Sequence, residues 1–134
     1  MIIVDASVTL AWCLADEADA YAEEILERVV DEGAAAPAHW PLEVANGLRS
    51  AERRGRLSEE DLAQVRSLLA GLGIEVVPVE LSTAAGTVLD AARRHGLSAY
   101  DAAYLDLAAF RAVPLATIDG PLREACTRAG VERV

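Results

Sequence analysis

The sequence predicts an α/β fold: a three-layer α/β/α sandwich with a central, mainly parallel sheet. Short apolar runs alternate with helical segments along the whole chain, which is typical of a parallel sheet covered by helices on both faces. The first run, "IIV", is continuously apolar, as expected of a strand buried on both faces. The 134 residues contain no internal repeat or long linker, so we predict one domain over residues 1–134.

In the first half of the chain, breakers and caps delimit the predicted elements. An amphipathic pattern predicts a helix that Gly33 ends. Pro41 marks the first turn of another helix, and Ser58 with Asp61 has the spacing of a capping box. In order we predict a strand at 2–5, a helix at 6–17, a helix at 18–32, a weak strand at 34–37, and helices at 40–54 and 58–72.

In the second half, the same alternation continues. Gly96 closes one predicted helix, and Ser98 caps the next. In order we predict a strand at 74–80, a helix at 81–95, a helix at 98–112, a strand at 113–119, a short helix at 120–130 and an edge strand at 131–134.

Composition limits the classes of function. The formal net charge is −10, and all twelve basic residues are arginines, so the chain lacks the broad basic surface of a general nucleic-acid coat. Neither a signal peptide nor a membrane-spanning run is evident, so we expect a cytoplasmic protein without a membrane partner. Cys13 and Cys126 have no ligand spacing, and we interpret them as free thiols.

Four acidic residues are placed to meet at one edge of the sheet. Asp5 ends the first strand, Glu43 and Asp101 lie in the first turns of two helices, and Asp119 follows a late strand. Parallel sheets bind ligands at the carboxyl ends of their strands. Each acid also has a structural interpretation as a helix cap or as a charge that complements a helix N-terminus.

Taken together, the four acids indicate a metal site. Carboxylates that converge in one cleft repel one another unless protons or a cation intervene. Carboxylate oxygens without neighbouring His or Cys ligands suit Mg²⁺, or alternatively Mn²⁺. A carboxylate cluster with such an ion is typical equipment for phosphodiester hydrolysis.

The motifs that carry these acids resemble those of a known family. The segments "IVDASV", "EVANGL", "LSAYDAAYLDLA" and "PLATIDGPL" are similar, in this order, to the motifs of PIN-domain ribonucleases, and in particular to the VapC-like toxins of type II toxin–antitoxin modules. By this resemblance Asp5, Glu43 and Asp101 match the three core acids of the family, and Asp119 matches the more peripheral fourth.

The resemblance also assigns supporting residues. Ser7, Asn46 and Thr117 match polar positions that accompany the family's acids. Many relatives carry a lysine after the "DAS" segment, which this chain lacks. Arg49 and Arg53 belong to an arginine cluster that is a candidate RNA contact, although arginines near a helix C-terminus are also favoured by the helix dipole.

The function implied by the resemblance is that of a Mg²⁺-dependent endoribonuclease toxin. It would cleave RNA phosphodiester bonds with a metal-activated water, and would inhibit translation and growth until a VapB-like antitoxin neutralised it. The family commonly forms homodimers, so we expect one here. The alternative is a catalytically silent PIN-like module that binds RNA or protein. A receiver domain is disfavoured by the absence of lysine, and a dehalogenase-type domain by Ser7, where a second aspartate is needed.

Overall fold

A central sheet of four parallel strands organises the molecule. The computed structural model describes residues 1–17 and 19–134. The strands lie in the order β3-β2-β1-β4 and are all parallel. Their bounds are β1 Ile2–Val4, β2 Ala34–Pro37, β3 Glu75–Val77 and β4 Leu115–Ala116.

Helices cover both faces of this sheet. They are α1 Ala6–Cys13, α2 Ala20–Glu32, α3 Trp40–Arg53, α4 Glu59–Leu72, α5 Leu81–Thr83, α6 Leu89–His95, α7 Ala99–Arg111 and α8 Gly120–Ala129. A 3₁₀ turn at Ala15–Glu17 follows α1, and a π-helical segment at Ala84–Val88 joins α5 to α6. The predicted three-layer α/β/α sandwich is confirmed.

The core lies in two layers on opposite sides of β1, because successive side chains of a strand point to opposite faces. On one face Ile3 packs with Tyr104 of α7 and Leu122 of α8. On the other face Ile2 and Val4 of β1 pack with α2 and α1 residues such as Ile25 and Val8. All three residues of β1 are fully buried, which explains why its sequence is apolar without alternation.

Several predicted elements differ from the structure. The helix predicted at 6–17 ends at Cys13, and the strands predicted at 74–80 and 113–119 are limited to Glu75–Val77 and Leu115–Ala116. The helix predicted at 81–95 is interrupted, because Gly86 has non-helical dihedral angles (φ −101°, ψ −107°) within the π-helical segment. The edge strand predicted at 131–134 is reduced to one isolated bridge between Leu115 and Arg133. The helix predicted from residue 18 begins at Ala20; Ala18 lies outside the described residues.

An ion-pair cluster joins the α3–α4 turn to the 3₁₀ turn. The guanidinium of Arg56 lies 2.6 Å from a carboxylate oxygen of Asp16 and 3.0 Å from one of Glu17. Nearby, Ser58 and Asp61 form the complete predicted capping box at the start of α4. Arg56 therefore holds a loop that follows the first strand–helix unit.

The two cysteines and the lengths of the helices bear on two further predictions. Cys13 and Cys126 are free thiols, as predicted. In the described part of the chain, no helix combines the length and the apolar character needed to span a membrane.

A buried hydroxyl links α1 to α3. Thr9 is fully buried, and its hydroxyl donates to the carbonyl oxygen of Asp5 at 2.8 Å. The same hydroxyl accepts a 3.0 Å hydrogen bond from the indole Nε1 of Trp40. Trp40 is 93% buried (7% exposed), so the starts of both helices are fixed relative to the end of β1.

Thr9→Val is expected to destabilise the fold. Valine keeps the shape of threonine but leaves the Trp40 indole and one backbone carbonyl without this partner, and an unsatisfied buried group costs about 1–3 kcal/mol. Urea unfolding measures the loss in the free energy of unfolding. Thr127→Val, on the exposed face of α8, is the control. Equal stability of the two variants would show that the Thr9 hydroxyl contributes nothing.

Candidate active site

The four predicted acids line one cleft at the carboxyl edge of the sheet. Asp5, Glu43, Asp101 and Asp119 share a cavity of about 350 Å³. The strand order places β2 and β4 on either side of β1, and the chain reverses its direction of winding between β1 and β4. Such a switch point leaves a crevice at the carboxyl ends of the strands. The structure therefore brings the four acids together.

The Asp5 carboxylate connects β1 to β4. It lies directly after β1 and is 4% exposed. Its Oδ1 accepts hydrogen bonds from the backbone N of Val8 (3.0 Å) and from the hydroxyl of Ser7 (2.7 Å). Its Oδ2 accepts a hydrogen bond from the hydroxyl of Thr117, just after β4. Asp5 thus caps α1 and lines the cleft at the same time, so its two interpretations are compatible.

The supporting hydroxyls extend this network to Asp119. The Ser7 hydroxyl accepts a hydrogen bond from the backbone N of Ile118 (3.0 Å), and the Thr117 hydroxyl accepts one from the backbone N of Asp119 (3.0 Å). Oδ2 of Asp119 accepts from the backbone N of Leu122 at 3.0 Å, which caps α8. Ser7 and Thr117 therefore fix the loop that carries Asp119.

The helix that carries Asp101 is capped differently from the helix that carries Asp61, although each aspartate lies three residues after a capping serine. The Ser98 hydroxyl accepts a hydrogen bond from the backbone N of Asp101 at 3.1 Å, as Ser58 does for Asp61. At Ser58 the backbone N also donates to the Asp61 carboxylate, whereas the corresponding bond to Asp101 is not formed. Ser98 therefore caps its helix as predicted, but without the reciprocal bond of a capping box, and the Asp101 carboxylate lines the cleft instead.

Two residues that sequence reasoning did not assign to the site lie against the Glu43 carboxylate. The hydroxyl of Tyr104 donates to Glu43 Oε1 at 2.7 Å, and Tyr104 is almost fully buried. Nε2 of His39 lies 3.1 Å from the same oxygen but makes no hydrogen bond there, so this contact is an ion pair only when the imidazole is protonated. The one signal in the sequence was the spacing of His39 and Glu43, four residues apart across a helix start.

The remaining predicted residues divide between the cleft and other surfaces. Asn46 lines the acidic cleft with Glu43, as their shared helical face predicts. Arg49 lies instead on the groove between α3 and α4 and forms an ion pair with Glu52 at 2.7 Å. Arg53 is exposed at the end of α3. The structure does not bring either arginine into the cleft.

Burial and mutual repulsion raise the pKa of two of the acids. Burial is the main cause of the raised pKa of Asp5; the negative charge of Asp119 adds to it, and the hydrogen bonds from Thr117, Ser7 and Val8 oppose it. Burial also raises the pKa of Asp101, with further contributions from Asp119 and Glu43. The cleft therefore holds negative charges that a cation or protons would stabilise.

The donor set fits a hard divalent cation. Carboxylate and amide oxygens line the cleft, and such oxygens are the ligands that Mg²⁺ and Mn²⁺ prefer. Within residues 1–17 and 19–134, however, no three His, Cys, Asp or Glu side chains are grouped closely enough to form a ready metal site. The oxygen ligands and the negative charge of the cleft suit a cation. The described side chains, however, are not gathered around a single point as ligands of a bound ion would be.

Comparisons with known proteins agree with the fold and the motifs. A family model described as the PIN domain matches residues 2–127. The crystal structure of PAE2754 from Pyrobaculum aerophilum is 26% identical, with a TM-score of 0.68, and the match covers 92% of this chain and 84% of that one. The crystal structure of FitAcB from Neisseria gonorrhoeae is 19% identical, with a TM-score of 0.65 and coverage of 99% and 96%; it supports the fold. No curated protein matches the chain significantly.

Asp101→Asn and Asp61→Asn are expected to change stability in opposite directions in metal-free buffer at pH 7. The folded protein raises the pKa of Asp101, so the cost of its charge appears as pH rises through that pKa, and removing the charge should raise Tm by roughly 1–4 °C. The backbone N of Ser58 lowers the pKa of Asp61, so its stabilising contribution is present at neutral pH and is lost as pH falls.

Thermal unfolding monitored by circular dichroism from pH 3 to pH 8 measures both effects. The two substitutions occupy the same third position of a serine-capped helix, which makes Asp61→Asn the matched control. The stability gained in Asp101→Asn should shrink as pH falls below about 5 and be nearly lost at about pH 3, where most of the carboxyl is protonated in both the folded and the unfolded state. A loss of stability in both variants at pH 7 would contradict the repulsion inferred in the cleft.

Proposed function

This chain belongs to the PIN-domain family, and from that premise we propose that it is a Mg²⁺-dependent endoribonuclease, a VapC-type toxin of a toxin–antitoxin module. PIN domains are generally nucleases, which supports a hydrolase that acts on nucleic acid. The observation that carries the proposal is the shared cleft of Asp5, Glu43, Asp101 and Asp119 at the sheet edge.

The four acids are the residues that would hold the ion, which is Mg²⁺ or alternatively Mn²⁺. The chemistry supplied by such an ion is activation of a water molecule and neutralisation of charge on the scissile phosphate. An ion of this kind also offsets the acidic character of the cleft, which would otherwise repel the RNA backbone. This matters in a chain of net charge −10.

The surrounding side chains orient the acids. The hydroxyl of Tyr104 donates to Oε1 of Glu43. The second carboxylate oxygen of Glu43, Oε2, does not take part in this hydrogen bond. Ser7 and Thr117 hold the Asp5 carboxylate from two sides. Such partners of ligand carboxylates fix their orientation, and removing them typically weakens metal affinity or activity 10–100-fold. Asn46 lies on the same cleft wall as Glu43, where its amide can bind a water or the phosphate.

RNA contacts outside the cleft belong to the proposal as well. Arg53 is exposed and makes no ion pair among the described residues, so it is available to a phosphate. Arg49 already forms an ion pair with Glu52 on the same helix. We therefore assign the stronger backbone contact to Arg53.

We also propose a VapB-like antitoxin as a partner. A groove of about 560 Å³ runs between α3 and α4, with Leu48, Leu62 and Val65 among its apolar residues and Arg49 and Arg66 among its charged ones. A groove of this composition suits the apolar face of a helix. The acidic cleft in turn suits a basic side chain of the same partner.

A homodimer in the cytoplasm completes the proposal. Large apolar side chains remain exposed on separate elements, among them Val30 of α2 and Leu42 of α3, which are 70% and 75% exposed. Exposed side chains of this size are available to an interface. Light scattering coupled to gel filtration distinguishes a dimer from a monomer.

The alternative function is a catalytically silent module that binds RNA or protein. All four acidic positions of the family are occupied here, which favours catalysis over this alternative. The two functions differ in one observable, namely whether divalent metal produces new RNA ends.

Purified protein is expected to cut total cellular RNA at discrete positions with Mg²⁺ or Mn²⁺, and not with EDTA. Asp5→Asn and Asp101→Asn should each reduce the rate at least about 100-fold, because each removes a charge that holds the ion. Mapping of the new 5′ ends by sequencing measures the cuts.

Asp106→Asn is the matched control for Asp101→Asn. Both aspartates lie on α7, but Asp106 lines a different cavity, between α6, α7 and α8, and the variant should cut like the wild type. Equal residual cutting by the wild type and both active-site variants would reveal a contaminant and would favour the silent module.

Tyr104→Phe is expected to raise the Mg²⁺ concentration required for half-maximal cleavage by about 10–100-fold. The substitution keeps the buried ring and removes the hydrogen bond to Glu43. In a Glu43→Gln background the same substitution should add little, because its partner carboxylate is already lost. Full additivity of the two substitutions would show that Tyr104 does not act through Glu43.

A further inference from the structure

We propose that an apolar cavity beside the acidic cleft holds one unpaired base of the RNA, next to the scissile phosphate. The proposal rests on the proposed ribonuclease function and adds how the substrate is selected. The cavity has a volume of about 220 Å³, and its lining includes His39, Val79, Ala84, Val88, Tyr100 and Ala103.

One residue connects this base cavity to the acidic cleft. The imidazole of His39 lies in the wall of the base cavity, while its Nε2 is 3.1 Å from Oε1 of Glu43 in the acidic cleft. On α7, Tyr100 of the base cavity directly precedes Asp101 of the acidic cleft. A nucleotide whose phosphate enters the acidic cleft therefore has its base, or the base of its neighbour, within reach of the base cavity.

The lining of the base cavity suits the flat face of a base. Among the described residues that line it, none is a carboxylate or an arginine, and apart from the two aromatic residues all are alanine or valine. The ring centroids of His39 and Tyr100 are 5.5 Å apart and tilted by 49°. Aromatic side chains of this kind stack on bases in single-stranded RNA.

Tyr100 is placed as an available stacking surface. It is 63% exposed, which is unusual for an aromatic residue next to a buried helix face, and its hydroxyl has no hydrogen-bond partner among the described residues. The volume of about 220 Å³ is smaller than that of typical small-molecule sites, which occupy roughly 300–1,000 Å³. A single planar ring fits a cavity of this size.

The irregular helix between β3 and α7 shapes the opposite wall. Ala84 and Val88, at the two ends of the π-helical segment, both line the base cavity. π-helical turns occur frequently at functional sites. The departure from regular helix at Gly86 falls between these two lining residues.

The competing occupant is an aromatic side chain of a protein partner. If a partner's side chain fills the cavity, substitutions in the lining of the base cavity should leave the rate of RNA cleavage and its base preference unchanged. The two occupants are therefore separated by measuring cleavage of RNA alone, without any partner.

The experiment combines cavity variants with abasic RNA. Single-stranded oligonucleotides that contain a cut site mapped in total RNA are prepared with one abasic nucleotide at each of the positions flanking the cut. Tyr100→Ala removes the stacking surface, and Ala84→Leu fills the cavity from the other side. Phe110→Ala, at the far end of α7, is the control for loss of an exposed aromatic side chain. Circular dichroism verifies that each variant is folded.

At one flanking position, loss of the base should lower kcat/KM of the wild type and of Phe110→Ala about 5- to 100-fold, the range expected for one stacked base. Tyr100→Ala and Ala84→Leu should each show a similar loss on intact RNA and no further loss on the abasic RNA, because the two changes remove the same interaction. Two outcomes would overturn the base-binding proposal and leave the nuclease proposal intact, provided that the wild type cleaves RNA. In the first, the effects of the variant and of the abasic site are additive; in the second, neither change has an effect. Absence of metal-dependent cleavage by the wild type would overturn both.

Discussion

The buried carboxylate of Asp5 is the constraint on which the site depends. It stands at the end of the central strand β1, where the hydroxyls of Ser7 and Thr117 and the backbone N of Val8 all donate to it. These bonds join the start of α1 to the loop after β4. Burial makes the charged form expensive, and the three donors offset part of that expense. The carboxylate therefore connects two neighbouring strands at the switch point of the sheet and also lines the cleft between them.

Of the other acids, only Asp119 is connected to Asp5 through hydrogen bonds among the described residues, by way of Thr117. Asp119 follows the loop that Thr117 holds, and Glu43 is oriented by the buried Tyr104 of α7. Asp101 comes from the first turn of the same helix, and its charge is destabilised by Asp119 and Glu43. Concentrated like charge is unfavourable for folding, and proteins accept such destabilisation where function requires it. The like charges of the cleft therefore destabilise the folded state, and a bound cation would relieve that cost.

The sequence predicted well which acidic residues follow the strands, but it predicted side-chain contacts across the fold poorly. Asp5 and Asp119 follow apolar runs, and parallel topology alone brings such positions to one edge, so their meeting was predictable. The hydrogen bond between Tyr104 and Glu43 joins residues 61 positions apart, and no local sequence pattern predicts it. The ion pairs of Arg56 with Asp16 and Glu17 could not be predicted for the same reason. The π-helical segment was missed because its residues continue the helical pattern, and only the backbone at Gly86 departs from it.

The central claim is that the four carboxylates bind one class of divalent cation, and titration with Mn²⁺ followed by electron paramagnetic resonance tests it without any RNA. Bound Mn²⁺ loses the sharp signal of the free ion, so occupancy is counted directly. The account predicts saturable binding to the wild type and to Asp106→Asn, with competition by Mg²⁺ and at least about tenfold weaker binding to Asp101→Asn. Saturable binding of equal strength in all three proteins, or none in the wild type, would contradict it.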